Sequence, residues 1–234
     1  MSGANNEFTI RKSMKRTRIR VLHLLVGTIL ASTGIVTTIR ANIGYAPWEV
    51  FHVGIAISAG INIGVTTIIV GAAVIIIVTA CGEIIGLGTI VNMLLAGLFM
   101  DFLFWLDIIP LADDVITGIL LLFTGILIQS LGTYFYISAA FGVGPRDNLM
   151  VVLKRKTKLP VGICRSIVEL TITITGWLLG GMVGIGTIIF VIAIGFCIQI
   201  TFSVLKLKPT EIKHETIVQT YKAIRGKVEK TKES

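Results

Sequence analysis

The chain has 234 residues, of which 54% are hydrophobic and only 15% are charged, and its net charge is +8. Ordinary globular chains carry about 25% charged residues, so this composition excludes an ordinary soluble domain. The Lys and Arg residues crowd the two termini and one loop, beside long apolar runs, which is the pattern that sets topology in a lipid bilayer. We therefore expect a lipid bilayer, and no nucleic acid, as the partner of this chain.

Six apolar runs follow a basic segment at residues 1–20. Each run is long enough to cross a hydrocarbon core of about 30 Å as an α-helix. A second basic segment, 206–234, follows the last run, and its apolar residues recur at the spacing of an amphipathic helix that lies on a membrane surface. The predicted spans are 21–41, 64–81, 88–106, 115–137, 162–180 and 186–205.

The distribution of Lys and Arg predicts one orientation of these spans. With the N-terminus in the cytoplasm, the basic loop 138–161 and the C-terminal segment both lie inside. The loop 42–63, which has no Lys or Arg, and the acidic linker 107–114 then lie outside. We expect an integral protein of the bacterial plasma membrane with both termini in the cytoplasm.

The sequence repeats itself without a gap at an offset of 98 residues, so that Gly44 matches Gly142 and Pro47 matches Pro145. Each unit holds three spans, an odd number, so two units in tandem must lie inverted relative to each other, as in many transporters. The predicted fold is an all-α membrane protein of six transmembrane helices in two inverted three-helix repeats. The predicted segments are a basic cytoplasmic tail (1–20), repeat 1 (21–106), an external linker (107–114), repeat 2 (115–205) and a second basic cytoplasmic tail (206–234).

A proline-containing motif follows the first span of each unit, GYAPWE at 44–49 and GVGPRD at 142–147. Proline in the first turn is typical of a helix start, and the apolar stretch after each motif is too short to cross a bilayer. The motifs therefore predict a short helix in each unit that either dips into the membrane or lies at its surface.

Each motif also supplies charged residues that are candidates for a solute pathway. Glu49 and Asp147 lie two residues after the proline, where a carboxylate either complements the helix dipole or lines a central pathway. Arg146 either pairs with a carboxylate, binds an anionic solute or anchors at lipid headgroups. The sequence leaves these alternatives open.

The spans themselves contain a few further polar residues. Arg165 and Glu169 are four residues apart and lie on one helical face, so they either form a structural ion pair or line the pathway. Ionisable residues within a span are costly and usually face the bundle interior or water, which makes Glu169 the strongest single candidate. Asp101, Asn92 and Gln129 are further candidates.

No motif in the sequence indicates an enzyme. Cys81, Cys164 and Cys197 are isolated within or beside apolar runs, where cysteine is typical of packing, and the histidines lack the spacing of metal ligands. The segments GLGT at 86–89 and GIGT at 184–187 lack the lysine of a phosphate-binding loop, so they predict tight turns and close helix packing. We expect no catalytic residue, no metal and no cofactor.

Several segments together resemble the YczE/YitT-like family of uncharacterised bacterial integral membrane proteins: GYAPWE, GLGTIVNMLLAGLFMD, GVGPRDNLM, RSIVE and GWLLGGMVGIGT. The resemblance covers roughly residues 20–205. It implies an integral plasma-membrane protein and leaves the activity open. The chain departs from the family at Glu49, where members often have Asp, and at Gly195–Phe196, where they often have Gly-Pro.

The leading functional hypothesis is a secondary transporter or channel for an unidentified small solute, driven by a proton or another electrochemical gradient because no ATP site is visible. The alternative is a non-transporting membrane scaffold or regulator that acts through a partner, which the basic amphipathic tail favours. The sequence is also compatible with a homo-oligomer.

Overall fold

The computed structural model describes the backbone of residues 2–83, 85–142 and 144–207, and the side chains of these residues from 18 onward except at 147, 151 and 161. The described residues form α-helices and no strand, as predicted. In chain order the helices are α1 (Ser2–Arg40), α2 (Pro47–Ala59), α3 (Ile63–Ala80), α4 (Leu87–Leu106), α5 (Val115–Ala139), α6 (Pro145–Thr157), α7 (Val161–Leu178) and α8 (Ile185–Val204).

Six of these helices lie where the sequence predicts spans, namely α1, α3, α4, α5, α7 and α8. Five helices are long and apolar enough to cross a membrane, α1 from Arg18 onward, α3, α4, α5 and α8, and the bent pair Asn148–Thr157 and Gly162–Leu178 is a sixth candidate. The helical backbone of α1 continues through the basic segment predicted as a tail. The amphipathic helix predicted in 206–234 lies outside the described residues.

The outer surface of the helices is strongly apolar. Large side chains such as Ile76, Trp105, Ile116 and Leu178 are each at least 68% exposed. An apolar surface of this extent would be unfavourable in water, whereas lipid tails are as apolar as these side chains. The exposed surface therefore fits a hydrocarbon environment.

The two short helices α2 and α6 begin at the prolines, as predicted. Each has 13 residues and therefore a length of about 20 Å, which is too short to cross a bilayer. The residue before each proline, Ala46 or Gly144, has ψ of 153°, because the proline ring disfavours helical backbone at the preceding position. Most of α2 is buried among the other helices, so it is part of the bundle and does not lie on its surface.

Helices α1 and α5 pack against each other through glycines. A Cβ atom on Gly34 would lie 2.6 Å from the carbonyl oxygen of Gly125, and one on Gly27 would lie 2.9 Å from that of Gly132. Because the later residue of α1 meets the earlier residue of α5, the two helices are antiparallel. Only glycine allows two backbones to approach this closely, so the two helices form a tight central pair.

The glycine-rich loops make the same contact twice. The amide of Gly88 donates to the carbonyl oxygen of Phe141 at 3.1 Å, and the amide of Gly186 donates to that of Ile43 at 2.8 Å. Each loop therefore holds the connection between a long helix and the short helix that follows it. The prediction that these glycines serve close packing is confirmed.

Candidate functional site

A cavity of about 200 Å³ lies among α2, α5, α6, α7 and α8. One wall is apolar and includes Phe190, Ile194 and Ile198 of α8. The other walls carry the polar side chains Glu49, Gln129, Thr133, Arg146, Arg165 and Glu169. The tertiary structure thus brings together four of the six predicted pathway residues, from three different helices.

The first turns of α2 and α6 meet at this cavity through Glu49 and Arg146. Arg146 Nη2 donates to Glu49 Oε1 at 3.2 Å, and the guanidinium carbon lies 4.7 Å from the ring centroid of Trp48. The side chain of Glu49 is 3% exposed, and Arg146 is its one hydrogen-bond partner among the described residues. A carboxylate offers about four acceptor positions, so Glu49 has unused acceptor capacity beside the cavity.

Both short helices also direct their N-termini toward this region. Pro47, Trp48 and Glu49 of the first turn of α2 line the cavity, as does Arg146 of the first turn of α6. The first amide groups of a helix have no intrahelical acceptor, and the helix dipole makes this end partially positive. The cavity therefore combines two positive helix ends with two charged pairs.

Arg165 and Glu169 form the second charged pair. Arg165 Nε donates to Glu169 Oε1 at 2.7 Å across one turn of α7, so the predicted pair is confirmed. The Arg165 side chain is 59% exposed and that of Glu169 is 20% exposed, so the carboxylate lies deeper. An exposed pair of this spacing stabilises a helix by only about 0.2–0.5 kcal/mol, which leaves both groups free to exchange partners at little cost.

Helix α5 contributes Gln129 and Thr133 to the cavity. Gln129 Oε1 is buried and has no hydrogen-bond partner among the described residues. The hydroxyl group of Thr133 donates to the backbone oxygen of Gln129 at 2.9 Å. A buried acceptor without a donor costs about 1–3 kcal/mol, so this amide oxygen marks a place that a donor would fill. Sequence reasoning missed Thr133, although its position one turn after Gln129 places it on the same helical face.

Two of the other polar candidates have structural contacts outside the cavity. Asp101 Oδ1 accepts from the amide of Gly64 at 2.7 Å and Oδ2 accepts from that of Val65 at 3.1 Å, so Asp101 caps the start of α3. Asn92 accepts from the hydroxyl group of Thr28 at 2.6 Å and joins α4 to α1. The tertiary structure thus separates Asp101 from the other pathway candidates.

The remaining candidate is Asp147. It belongs to α6, but its side chain lies outside the described residues, so its role stays a prediction. Within the described part of the chain, no group of three or more His, Cys, Asp or Glu side chains could hold a metal ion. The charged and polar side chains of the cavity can donate and accept hydrogen bonds and form ion pairs.

Apolar helices of membrane-spanning length and an apolar outer surface define a helical membrane protein. The chain belongs to DUF6198, a family of unknown function, which matches residues 18–203. The resemblance noted from the sequence motifs is thus confirmed.

Relatives cover most of this chain. The uncharacterized membrane protein YczE of Bacillus subtilis is 33% identical over 187 residues, which cover 77% of this chain and 84% of that protein. An uncharacterized protein of Haemophilus influenzae is 31% identical over 171 residues, which cover 73% of this chain and 78% of that protein. The uncharacterized protein YyaS of Bacillus subtilis is 22% identical over 191 residues, which cover 78% of this chain and 92% of that protein. No solved structure matches the chain.

Proposed function

We propose that this protein is a secondary transporter of a small solute, built from two inverted three-helix units that open the central cavity alternately to the two sides of the plasma membrane. The observation that carries the proposal is a difference between two glycine contacts that the repeat relates to each other. In the first unit two glycines of neighbouring helices pack directly against each other, which we call the closed contact. The corresponding glycines of the second unit do not touch, which we call the open contact.

Several features support the inverted arrangement. The helices α2 and α6 begin 98 residues apart, as do α3 and α7, and α4 and α8. The contact of Gly88 with Phe141 and that of Gly186 with Ile43 join positions that the same offset relates. The repeat-related first spans, α1 and α5, run antiparallel. Two units related by an axis in the membrane plane would produce all three relationships.

The closed contact joins α3 and α4 in the first unit. A Cβ atom on Gly64 would overlap the carbonyl oxygen of Gly97, and one on Gly97 would lie 2.5 Å from the carbonyl oxygen of Gly64. The repeat-related positions in α7 and α8 are Gly162 and Gly195. No described atom lies within 4 Å of a Cβ atom built on either of them.

Two equivalent halves in unequal conformations are the state expected of an alternating-access protein at one end of its cycle. In the opposite state, α7 would close on α8 as α3 now closes on α4, and α3 would separate from α4. The open contact includes Gly162 at the start of α7, which the Lys and Arg distribution assigns to the cytoplasmic side. The structure described would then be the inward-open state.

A pair of disulfide cross-links tests this exchange without knowledge of the solute. A Cβ atom on Gly71 would lie 3.9 Å from Cβ of Met93, a separation that suits a disulfide. With Cys81, Cys164 and Cys197 replaced by Ala, the variant Gly71→Cys with Met93→Cys should cross-link in the state described.

The repeat-related pair is Glu169→Cys with Val191→Cys, in the same cysteine-free chain. Val191 is 49% exposed, so this second bond should form only when α7 closes on α8. We expect both pairs to cross-link in proteoliposomes. Formation of the first bond without the second, under the same oxidation conditions, would contradict alternating access.

A further inference from the structure

The cavity combines acceptor and donor groups in a way that selects for one chemical class of solute. We infer that it binds a small zwitterion, a molecule that carries both an ammonium group and a carboxylate. This inference rests on the proposed transport function and deepens it by naming the substrate class.

The acceptor groups favour an ammonium group. Glu49 is almost fully buried and has one hydrogen-bond partner among the described residues, and Gln129 Oε1 is buried with none. Glu169 lines the same cavity and is held by a single ion pair. An ammonium group has three donors and a positive charge, so it can satisfy several of these oxygens together.

The donor groups favour a carboxylate. Arg146 and Arg165 line the cavity, and each guanidinium has five N–H donors, of which the described contacts to Glu49 and Glu169 each use one. The positive ends of α2 and α6 lie in the same region. A carboxylate can accept two parallel hydrogen bonds from a guanidinium, which gives direction as well as affinity.

The balance of charge favours both groups in one molecule. Among the residues that the structure describes, the cavity presents two arginines and two glutamates, so these four side chains together carry no net charge. A simple amine or a simple acid would leave one unpaired charge in a half-buried site, which is costly, whereas a zwitterion preserves the balance. The wall formed by Phe190, Ile194 and Ile198 leaves an apolar surface for a short side chain.

The 98-residue repeat indicates how binding of an ammonium group would be coupled to the closure of α7 on α8. Glu169 stands at the position that Gly71 holds in the first unit, and Gly71 packs directly on Met93 of α4. Closing α7 on α8 in the same way would press the Glu169 carboxylate against Val191 and remove it from water. An unpaired carboxylate opposes this step, and a bound ammonium group offsets its charge.

Calorimetric titration of the full chain, purified in detergent, tests the ligand class with the twenty protein amino acids as probes. We expect at least one of them to bind. The tightest binder is then compared with its own decarboxylated amine and its own deaminated acid. Each analogue should bind at least about tenfold more weakly, because each loses a charge-assisted contact. Equal binding of either analogue, or no binding by all twenty, would overturn the inference.

Two variants assign the ammonium subsite. Glu169→Gln and Gln129→Met should each weaken binding of the amino acid at least about tenfold. Gln129→Met should leave binding of the deaminated acid unchanged, whereas Glu169→Gln removes one negative charge from the cavity and should strengthen it. Asp113→Asn, which changes an exposed carboxylate in the linker 107–114, is the matched control. It should change neither the binding of the amino acid nor that of the deaminated acid. Unchanged amino-acid binding in both Glu169→Gln and Gln129→Met would contradict the assignment.

The experiments distinguish a failure of the proposed ligand class from a failure of the proposed transport function. Amino-acid binding without uptake into proteoliposomes, together with no cross-link between positions 169 and 191, would overturn transport and retain the ligand class. Cross-linking at both pairs with no binding of any amino acid would overturn the ligand class and retain alternating access.

Discussion

Arg146 and Glu49 are 97 residues apart in the chain, yet Nη2 of the first and Oε1 of the second lie 3.2 Å apart at the point where two short helices begin. This ion pair joins the two halves of the sequence at the cavity. It differs in burial from the Arg165–Glu169 pair, which lies within a single helix and is more exposed.

The difference in burial predicts unequal effects on stability. Arg146→Ala leaves the buried Glu49 carboxylate without its partner and should lower the free energy of unfolding by about 3 kcal/mol, because an unpaired buried charge is costly. Arg165→Ala removes an exposed pair and should cost less than about 0.5 kcal/mol. Thermal unfolding in detergent measures both, and equal effects would contradict the burial argument.

The closed and the open glycine contact predict different effects of a Gly→Ala substitution on stability. Gly64→Ala places a methyl group on the Gly97 carbonyl and should destabilise the protein by about 1–3 kcal/mol. Gly195→Ala meets no described atom within 4 Å, and alanine favours the helix, so its melting temperature should not fall.

Gly195→Ala should nevertheless obstruct closure of α7 on α8. We expect it to suppress cross-linking between positions 169 and 191 while that between 71 and 93 persists. Normal cross-linking at both pairs in this variant would show that the glycine is not needed for closure.

The contacts of Asp101 predict a stability effect without an effect on ligand binding. Asp101→Ala removes both hydrogen bonds to the start of α3 and should cost about 0.5–2 kcal/mol. Amino-acid affinity, measured at a temperature where the variant is folded, should equal that of the wild type. A loss of affinity would return Asp101 to the set of pathway residues.

Truncation after Leu205 distinguishes transport from the scaffold hypothesis. The cavity residues all precede this position, so the truncated chain should insert in the membrane and retain uptake into proteoliposomes. Membrane insertion with loss of the cellular phenotype and intact uptake would favour a role of the tail in binding a partner.

The sequence by itself determined the helices and the short proline-initiated segments. A span is a local property, because the length of an apolar run and the backbone restriction at proline need no distant contact. The observed starts of α2 and α6 at Pro47 and Pro145 accordingly match the predictions. The spacing of Arg165 and Glu169 likewise fixes their pairing within α7.

Only the tertiary structure decided which polar residues share a cavity. Glu49 pairs with Arg146 across the two units, whereas Asp101, also an acidic residue, accepts a hydrogen bond at the start of α3. Such choices depend on which helices pack together, and one sequence does not specify long-range packing. The unequal glycine contacts belong to the same category, because two matching sequence motifs cannot reveal that one contact is closed and the other open.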